Sequence, residues 1–141
     1  MADSLPTVIQ LEIVTPDRQV VHESVTSVTI PGKEGYLGIL PGHAPLLSEL
    51  RAGTLIYTRA ETKNYLAVSW GFAEVLPERV IILAHTAERA AEIDLARAER
   101  AFERAEKRLK DVSDPTVDRQ RAEEAYARAL ARLQAARRTG V

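Results

Sequence analysis

Ile9-Gln10-Leu11-Glu12-Ile13-Val14-Thr15-Pro16-Asp17 sets the grammar of the first half of the chain. Ile9, Leu11 and Ile13 alternate with Gln10, Glu12 and Val14. A period of two puts one set of side chains on a buried face, which predicts a β-strand. Thr15-Pro16-Asp17 is a turn signal. Similar short runs follow at residues 18–22, 25–30, 55–58, 65–70, 72–76 and 80–84. Pro31-Gly32, Pro41-Gly42, Ala52-Gly53 and Pro77-Glu78 separate them. Short strands with a turn about every 8–12 residues predict an all-β sandwich or barrel. No helical segments lie between them, as a parallel βαβ sheet would need.

The grammar changes near residue 87. Six of seven glycines, six of seven prolines, all three histidines and the only tryptophan precede it. Residues 87–141 hold 14 alanines, 13 basic and 11 acidic side chains. Leu95, Ala98, Phe102, Ala105, Leu109 and Val112 step by three and four, which marks one face of a helix. Ala122, Tyr126, Ala129, Leu133 and Ala136 mark a second. Asp114 and Pro115 fit the N-cap and first turn of that helix. A short link between two such helices predicts an antiparallel hairpin. The expected division is therefore residues 1–87, a β unit, and 88–141, a two-helix unit. The helical seams are rich in alanine, whose burial stabilises far less than the roughly 1.5–3 kcal/mol of a leucine. The hairpin should open more easily than a leucine-packed one.

Composition narrows function. Of 141 residues, 19 are basic and 20 acidic, for a net charge of -1. No basic excess exists to neutralise nucleic-acid phosphates. Cysteine is absent, which removes disulfides, thiolate catalysis and sulfur-ligated zinc. The longest apolar run, residues 80–84, is far short of the ~20 residues of a membrane span. Met1-Ala2-Asp3-Ser4 lacks the pattern of a signal peptide, so a cytoplasmic chain is expected. His22, His43 and His85 sit on separate elements with no metal-ligand spacing. No serine or threonine has a histidine partner in a recognisable order, so no catalytic constellation is expected.

Gly32, Gly35, Gly38 and Gly42 crowd one segment, yet no Gly-Lys-Ser/Thr ending follows as in a phosphate-binding loop. The segment reads as a series of tight turns that could form a docking surface. In the helical half, Arg97 and Arg104 are seven apart, and Arg128 and Arg132 four apart. Each pair shares a helix face. Such arginines commonly form exposed ion pairs, each contributing under about 1 kcal/mol. If the hairpin closes, both pairs could instead converge on an anion.

The run Gly35-Tyr36-Leu37-Gly38-Ile39-Leu40-Pro41-Gly42-His43-Ala44-Pro45-Leu46-Leu47 resembles the signature of the ε subunit of bacterial F-type ATP synthase. Leu50-Arg51-Ala52-Gly53-Thr54-Leu55, Gly71-Phe72-Ala73-Glu74-Val75 and Ile82-Leu83-Ala84-His85-Thr86-Ala87-Glu88-Arg89 extend the resemblance over essentially the whole chain. Ser69-Trp70 departs from it, since the family often has a second small residue before Gly71. The resemblance implies a ten-stranded β-sandwich followed by two helices. It implies a non-catalytic rotor subunit of the central stalk that binds the γ subunit and touches the ring of c subunits. The segment holding Glu34, Tyr36 and His43 corresponds to that contact. The complex couples proton or sodium-ion flow to ATP synthesis at the cytoplasmic face of the bacterial membrane, which this subunit meets only indirectly.

The family's helical hairpin is similar to a switch. Folded on the sandwich it permits turnover; extended into the catalytic α/β hexamer it inhibits ATP hydrolysis. The basic second helix, with Arg119, Arg121, Arg128, Arg132, Arg137 and Arg138, suits an acidic catalytic partner. Some members bind ATP in the folded-down state through an Ile-Asp-x-x-Arg-Ala motif and later arginines. This chain has Ile93-Asp94-Leu95-Ala96-Arg97-Ala98, with Arg104, Arg128, Arg132 and Glu88 at the further positions. The resemblance thus implies no required cofactor, no metal, and ATP as a regulatory ligand. Two rivals stand beside this reading: the same rotor subunit with a hairpin that takes no nucleotide, and an unrelated β-sandwich adaptor with a coiled-coil arm. A small hydrolase is more remote.

Overall fold

The computed structural model describes residues 5–111 and 114–140. Residues 1–4, whose sequence was read for a leader, Val112 at the end of the first helical seam, Ser113 and Val141 lie outside it. Eight strands come first: β1 (Ile9–Val14), β2 (Gln19–Val25), β3 (Ser27–Gly32), β4 (Gly35–Ile39), β5 (Leu46–Leu50), β6 (Gly53–Arg59), β7 (Thr62–Leu76) and β8 (Arg79–Arg89). A 3-10 turn, Ala90–Glu92, leads to α1 (Leu95–Lys110) and α2 (Arg119–Ala136).

The alternation in β1 works as expected: Ile9, Leu11 and Ile13 are fully buried. A register irregularity opposite Ile13/Val14 lets β2 bury two consecutive valines, Val20 and Val21. β7 carries the architecture. Its first part pairs with β6, from Arg59↔Thr62 to Gly53↔Val68. Its last part pairs with β5, from Leu50↔Gly71 to Leu46↔Val75. The strand changes partners across Ser69-Trp70 and so serves both layers. β8 runs beside it with the same interruption, between Ser69↔Thr86 and Gly71↔Ala84. Eight strands stand where about ten are expected because β7 and β8 each continue through this bend. β1 and β8 pair in parallel although no helical segment lies between the strands. Their connection is the rest of the sandwich, so no crossover helix is needed. The core between the layers is built mainly of Ile, Leu and Val, with Tyr57 its largest fully buried side chain.

The glycine-rich segment is less turn-like than its composition suggests. Pro31 and Gly32 are buried inside β3, and the turn falls one step later at Lys33-Glu34. β4 and β5 both arise in this segment. The β6–β7 hairpin turns through Ala60 (φ 49°) and Glu61 (φ 67°), a two-residue turn with both residues left-handed. Asn-Gly suits that geometry, while a side chain there costs roughly 1–2 kcal/mol. Replacing Ala60-Glu61 by Asn-Gly is therefore expected to stabilise the sandwich by about 1 kcal/mol or more. An unchanged midpoint in urea unfolding would contradict the strain argument.

Asp94 caps α1, its carboxylate accepting from Arg97 N at 3.1 Å. Ile93 before the cap and Ala98 join one buried cluster, the arrangement of a hydrophobic staple. Leu95, expected at the head of the first seam, is instead 41% exposed. The second helix starts later than Asp114-Pro115 suggests. Asp114 uses its carboxylate on Thr116, accepting from N at 2.9 Å and Oγ1 at 2.6 Å. These bonds hold its pKa below the ordinary carboxylate value. Asp118 caps α2 in its place, accepting from Arg121 N at 3.2 Å. α2 packs on α1 and on β6 and β7, whereas α1 packs mainly on α2. Ala98, Ala131, Leu133 and Ala135 meet Ala67 and Ile93 in a small second core, with Phe102 at its edge. Phe102 and Tyr126 rings pack 5.2 Å apart.

Candidate functional site

Two stripes of side chains face each other across the hairpin. On α1, Ala101, Arg104, Ala105 and Arg108 follow three- and four-residue steps. On α2, Ala122, Ala125, Arg128, Ala129 and Arg132 do the same. Together they line a groove of about 270 Å³ whose walls carry four guanidiniums, five alanine methyls and no carboxylate. The small alanines leave the space, and the arginines make it electropositive. A contiguous recess toward the interhelical loop shares Arg108 and Arg128 and adds Arg121, Asp114 and Asp118. Arg108 joins Arg104, Arg128 and Arg132 in the groove, although its spacing alone does not mark it in the sequence. The 101, 104, 105, 108 stripe of alanines and arginines is the signal that reveals it.

The sandwich engages both groove arginines of the second helix, Arg128 and Arg132. Arg132 Nε lies 2.9 Å from Glu88 Oε1, and Arg132 Nη2 donates to Glu88 Oε2 at 3.3 Å. The Nε–H is buried but not aligned on the carboxylate, which leaves it without a hydrogen bond. The guanidinium of Arg128 lies over the ring of Trp70, 5.3 Å from its centroid. Glu88 thus meets Arg132 at the groove. Ile93 and Ala98 are buried in the second core, and Asp94 is engaged as the α1 cap. Arg97 is not among the groove's lining residues. It shares the face of Arg104 two turns away, about 10 Å along the axis.

The remaining arginines of the second helix scatter. Arg119 pairs with Glu123 at 3.2 Å, one turn on. Arg137 pairs with Glu99 of α1 at 3.2 Å. Arg138 is left-handed (φ 53°), and the bonds Arg138 N to Ala135 O and Thr139 N to Gln134 O close a Schellman motif.

Glu34, Tyr36 and His43 do not converge. Glu34 sits in the turn before β4, and His43 in the loop beyond its other end, with Nδ1 2.6 Å from Ala44 O. Tyr36, within β4, turns toward the hairpin. Its hydroxyl accepts from Thr54 N at 3.3 Å, and the Arg51 guanidinium lies 5.1 Å from its ring. Tyr36 and Trp70 line an open cleft of about 520 Å³ between sandwich and α2. His22 stands 4.0 Å from Glu12, and His85 is exposed on β8. Among the described residues no cluster of His, Asp and Glu is arranged to hold a metal ion.

One surface was not singled out from the sequence. On the outer face of β5, β7 and β8, Leu47 is 69%, Phe72 50% and Leu83 54% exposed. Phe72 and Leu83 are cross-strand partners, and Val14 lies opposite Leu83 on β1, so an apolar row runs across three strands. Apolar residues on both alternating faces of β7 and β8 are its sequence signal.

Comparison with known proteins gives a consistent result. Residues 8–90 match the family model described as ATP synthase, Delta/Epsilon chain, beta-sandwich domain. Residues 91–137 match that of ATP synthase, Delta/Epsilon chain, long alpha-helix domain. The chain is 60% identical over 110 residues to the ATP synthase epsilon chain of Koribacter versatilis, covering 77% of this chain and 74% of that one. It is 49% identical over 131 residues to the epsilon chain of Syntrophobacter fumaroxidans, covering 93% and 97%. A chain in the Euglena gracilis mitochondrial ATP synthase OSCP/F1/c-ring structure superposes with a TM-score of 0.80 at 29% identity, covering 95% of this chain and 84% of that one.

Proposed function

Because this chain belongs to the delta/epsilon family of ATP synthases, we propose that it is the epsilon-type subunit of a rotating central stalk and regulates ATP hydrolysis through its hairpin. The subunit is non-catalytic; the complex is the enzyme. In this reading the sandwich, which ends with β8 at Arg89, holds γ and meets the c-ring, and the two helices form the regulatory unit. The assembly sits at the cytoplasmic face of the membrane. Among the described residues no helix is long and apolar enough to cross one.

The apolar row of Phe72 and Leu83 is the surface we assign to γ, and the loop bearing His43 remains the candidate for the c-ring. Exposed apolar rows of this kind are what a permanent partner covers. Phe72→Asp is expected to weaken binding to γ at least tenfold without loosening the core, since its side chain is half exposed. Unchanged co-purification with γ would move the interface elsewhere.

The hairpin-down state is the proposed ATP-bound state. The observation that supports it is the groove of Arg104, Arg108, Arg128 and Arg132, which carries no acidic lining and adjoins a buried Arg132 Nε–H with no aligned acceptor. Phosphate oxygens would satisfy these forks by charge-assisted hydrogen bonds. Arg97, two turns along the same face, lies within the length of a nucleotide. ATP favours the closed state only by its differential affinity for it. Released, the hairpin extends toward the α/β hexamer, where Arg119, Arg121, Arg137 and Arg138 are free to exchange partners.

Calorimetric titration of the isolated chain with ATP tests the nucleotide site. Saturable binding is expected, weakened about tenfold or more by Arg104→Ala and by Arg132→Ala. Absence of binding at millimolar ATP would favour a hairpin switch that takes no nucleotide.

A further inference from the structure

We propose that Trp70 is a positioning residue for Arg128: its indole face captures the guanidinium and seats α2 on the sandwich through a contact that needs no ligand. The 5.3 Å separation is within cation–π range. Arg128 also lines the groove between the two helices. One side chain is thereby shared between the sandwich and the anion groove.

Three further observations support this role. Trp70 is left-handed (φ 43°), a conformation rare for a bulky residue, and Gly71 beside it has φ 128°. Such geometry persists only where the surroundings over-determine it, and it clusters at switch regions. Here it sits where β7 leaves β6 for β5, outside the β7–β8 ladder. Second, Trp70 belongs to neither buried cluster, so core packing does not explain it. Third, α2 stands off the sandwich around the cleft between Tyr36, Trp70, Tyr126 and Leu130. The Trp70–Arg128 contact lies at that cleft, and Glu88–Arg132 makes the next contact one helical turn on. Arg128 itself stays exposed, and the side chains that α2 buries are four alanines and Leu133. The contact itself is independent of nucleotide; its consequence for switching rests on the mobile-hairpin reading above.

Hydrogen exchange on the nucleotide-free full-length chain tests the proposal. Trp70→Leu and Arg128→Gln should each speed exchange of the α2 amides about fivefold, and together no more than either alone. Trp70→Phe and Arg128→Lys, which keep the ring face and the charge, should preserve most of the protection. Amides of β1 should not change. Unaltered α2 exchange in Arg128→Gln, or losses that simply add in the double variant, would overturn the proposal. If Trp70→Leu also loosens β1, Arg128→Gln and Arg128→Lys decide alone: fast exchange in the first with protection in the second supports the stack, and equal exchange refutes it. Failure of the mobile-hairpin reading shows separately, as ATPase inhibition in the assembled complex that survives removal of both helices.

Discussion

A chain ending at Arg89 is expected to bind γ as tightly as the full-length chain and to leave ATP hydrolysis by the assembled complex uninhibited. The main core explains the first half of this expectation. Every residue of that cluster, from Ile9 to Ala87, lies within the truncated chain. The end point matters. Arg89 pairs with Leu66 in the ladder, donates from Nη1 to Tyr57 Oη at 3.1 Å and from Nη2 to Val20 O at 3.0 Å. Burial pushes the Tyr57 phenol above its ordinary pKa, and the Arg89 bond partly offsets that. A cut after residue 87 would remove both Arg89 bonds, leave Glu23 as the partner of this hydroxyl and shorten β8, confusing lost packing with lost regulation. What the cut at Arg89 exposes is the surface of β6 and β7 under α2, including Ala67 and Thr54, and none of the main core. The second half rests on the hairpin as the inhibitory element. Co-purification with γ and steady-state ATPase assays check both parts. A folded truncated chain that fails to bind γ would break the division of labour, and persistent inhibition would remove the hairpin from regulation.

What the sequence makes legible here depends on how local the determining physics is. The β1 strand is visible because alternation is written in six consecutive residues. Both helices are visible because their steps of three and four recur for several turns. β4 and β5 are hidden because they are short and lie among glycines and prolines that locally favour turns. Gly32 and Gly35 close the β3–β4 hairpin as partners, a role no composition count reveals. The parallel β1–β8 ladder joins residues about seventy positions apart and has no local signal. The same holds at the candidate site. Spacing puts Arg128 and Arg132 on one face, but only the folded hairpin brings them opposite Arg104 and Arg108. The Trp70–Arg128 stack depends wholly on tertiary placement. Asp114 shows the opposite failure: a sound N-cap signal is captured by a nearer donor, Thr116, and the helix waits for Asp118.

Gly71→Ala is expected to destabilise the protein by about 3 kcal/mol or more, among the largest effects of any single methyl addition. Its φ of 128° is strained for any side chain. A Cβ there would also fall 1.9 Å from Leu83 O and 2.9 Å from Leu83 C, and that obstacle is backbone inside the β7–β8 ladder. Neither strand can retreat cheaply. β7 is held by β5 and β6, and β8 by β1. Gly38→Ala provides the control: its Cβ meets nothing within 4 Å, so little change is expected. Urea unfolding of the two variants measures the contrast, and equal midpoints would refute the close-approach argument. The consequence reaches function because Gly71 separates two surfaces. On one side Trp70 faces Arg128 and the regulatory helices; on the other Phe72 and its partner Leu83 form the apolar row assigned to γ. A chain forced apart at Gly71 should lose both the seat of α2 and the γ-binding face, so even a residual folded fraction should bind γ weakly and show fast α2 exchange. The variant thus couples two activities that Phe72→Asp and Arg128→Gln are expected to disturb one at a time.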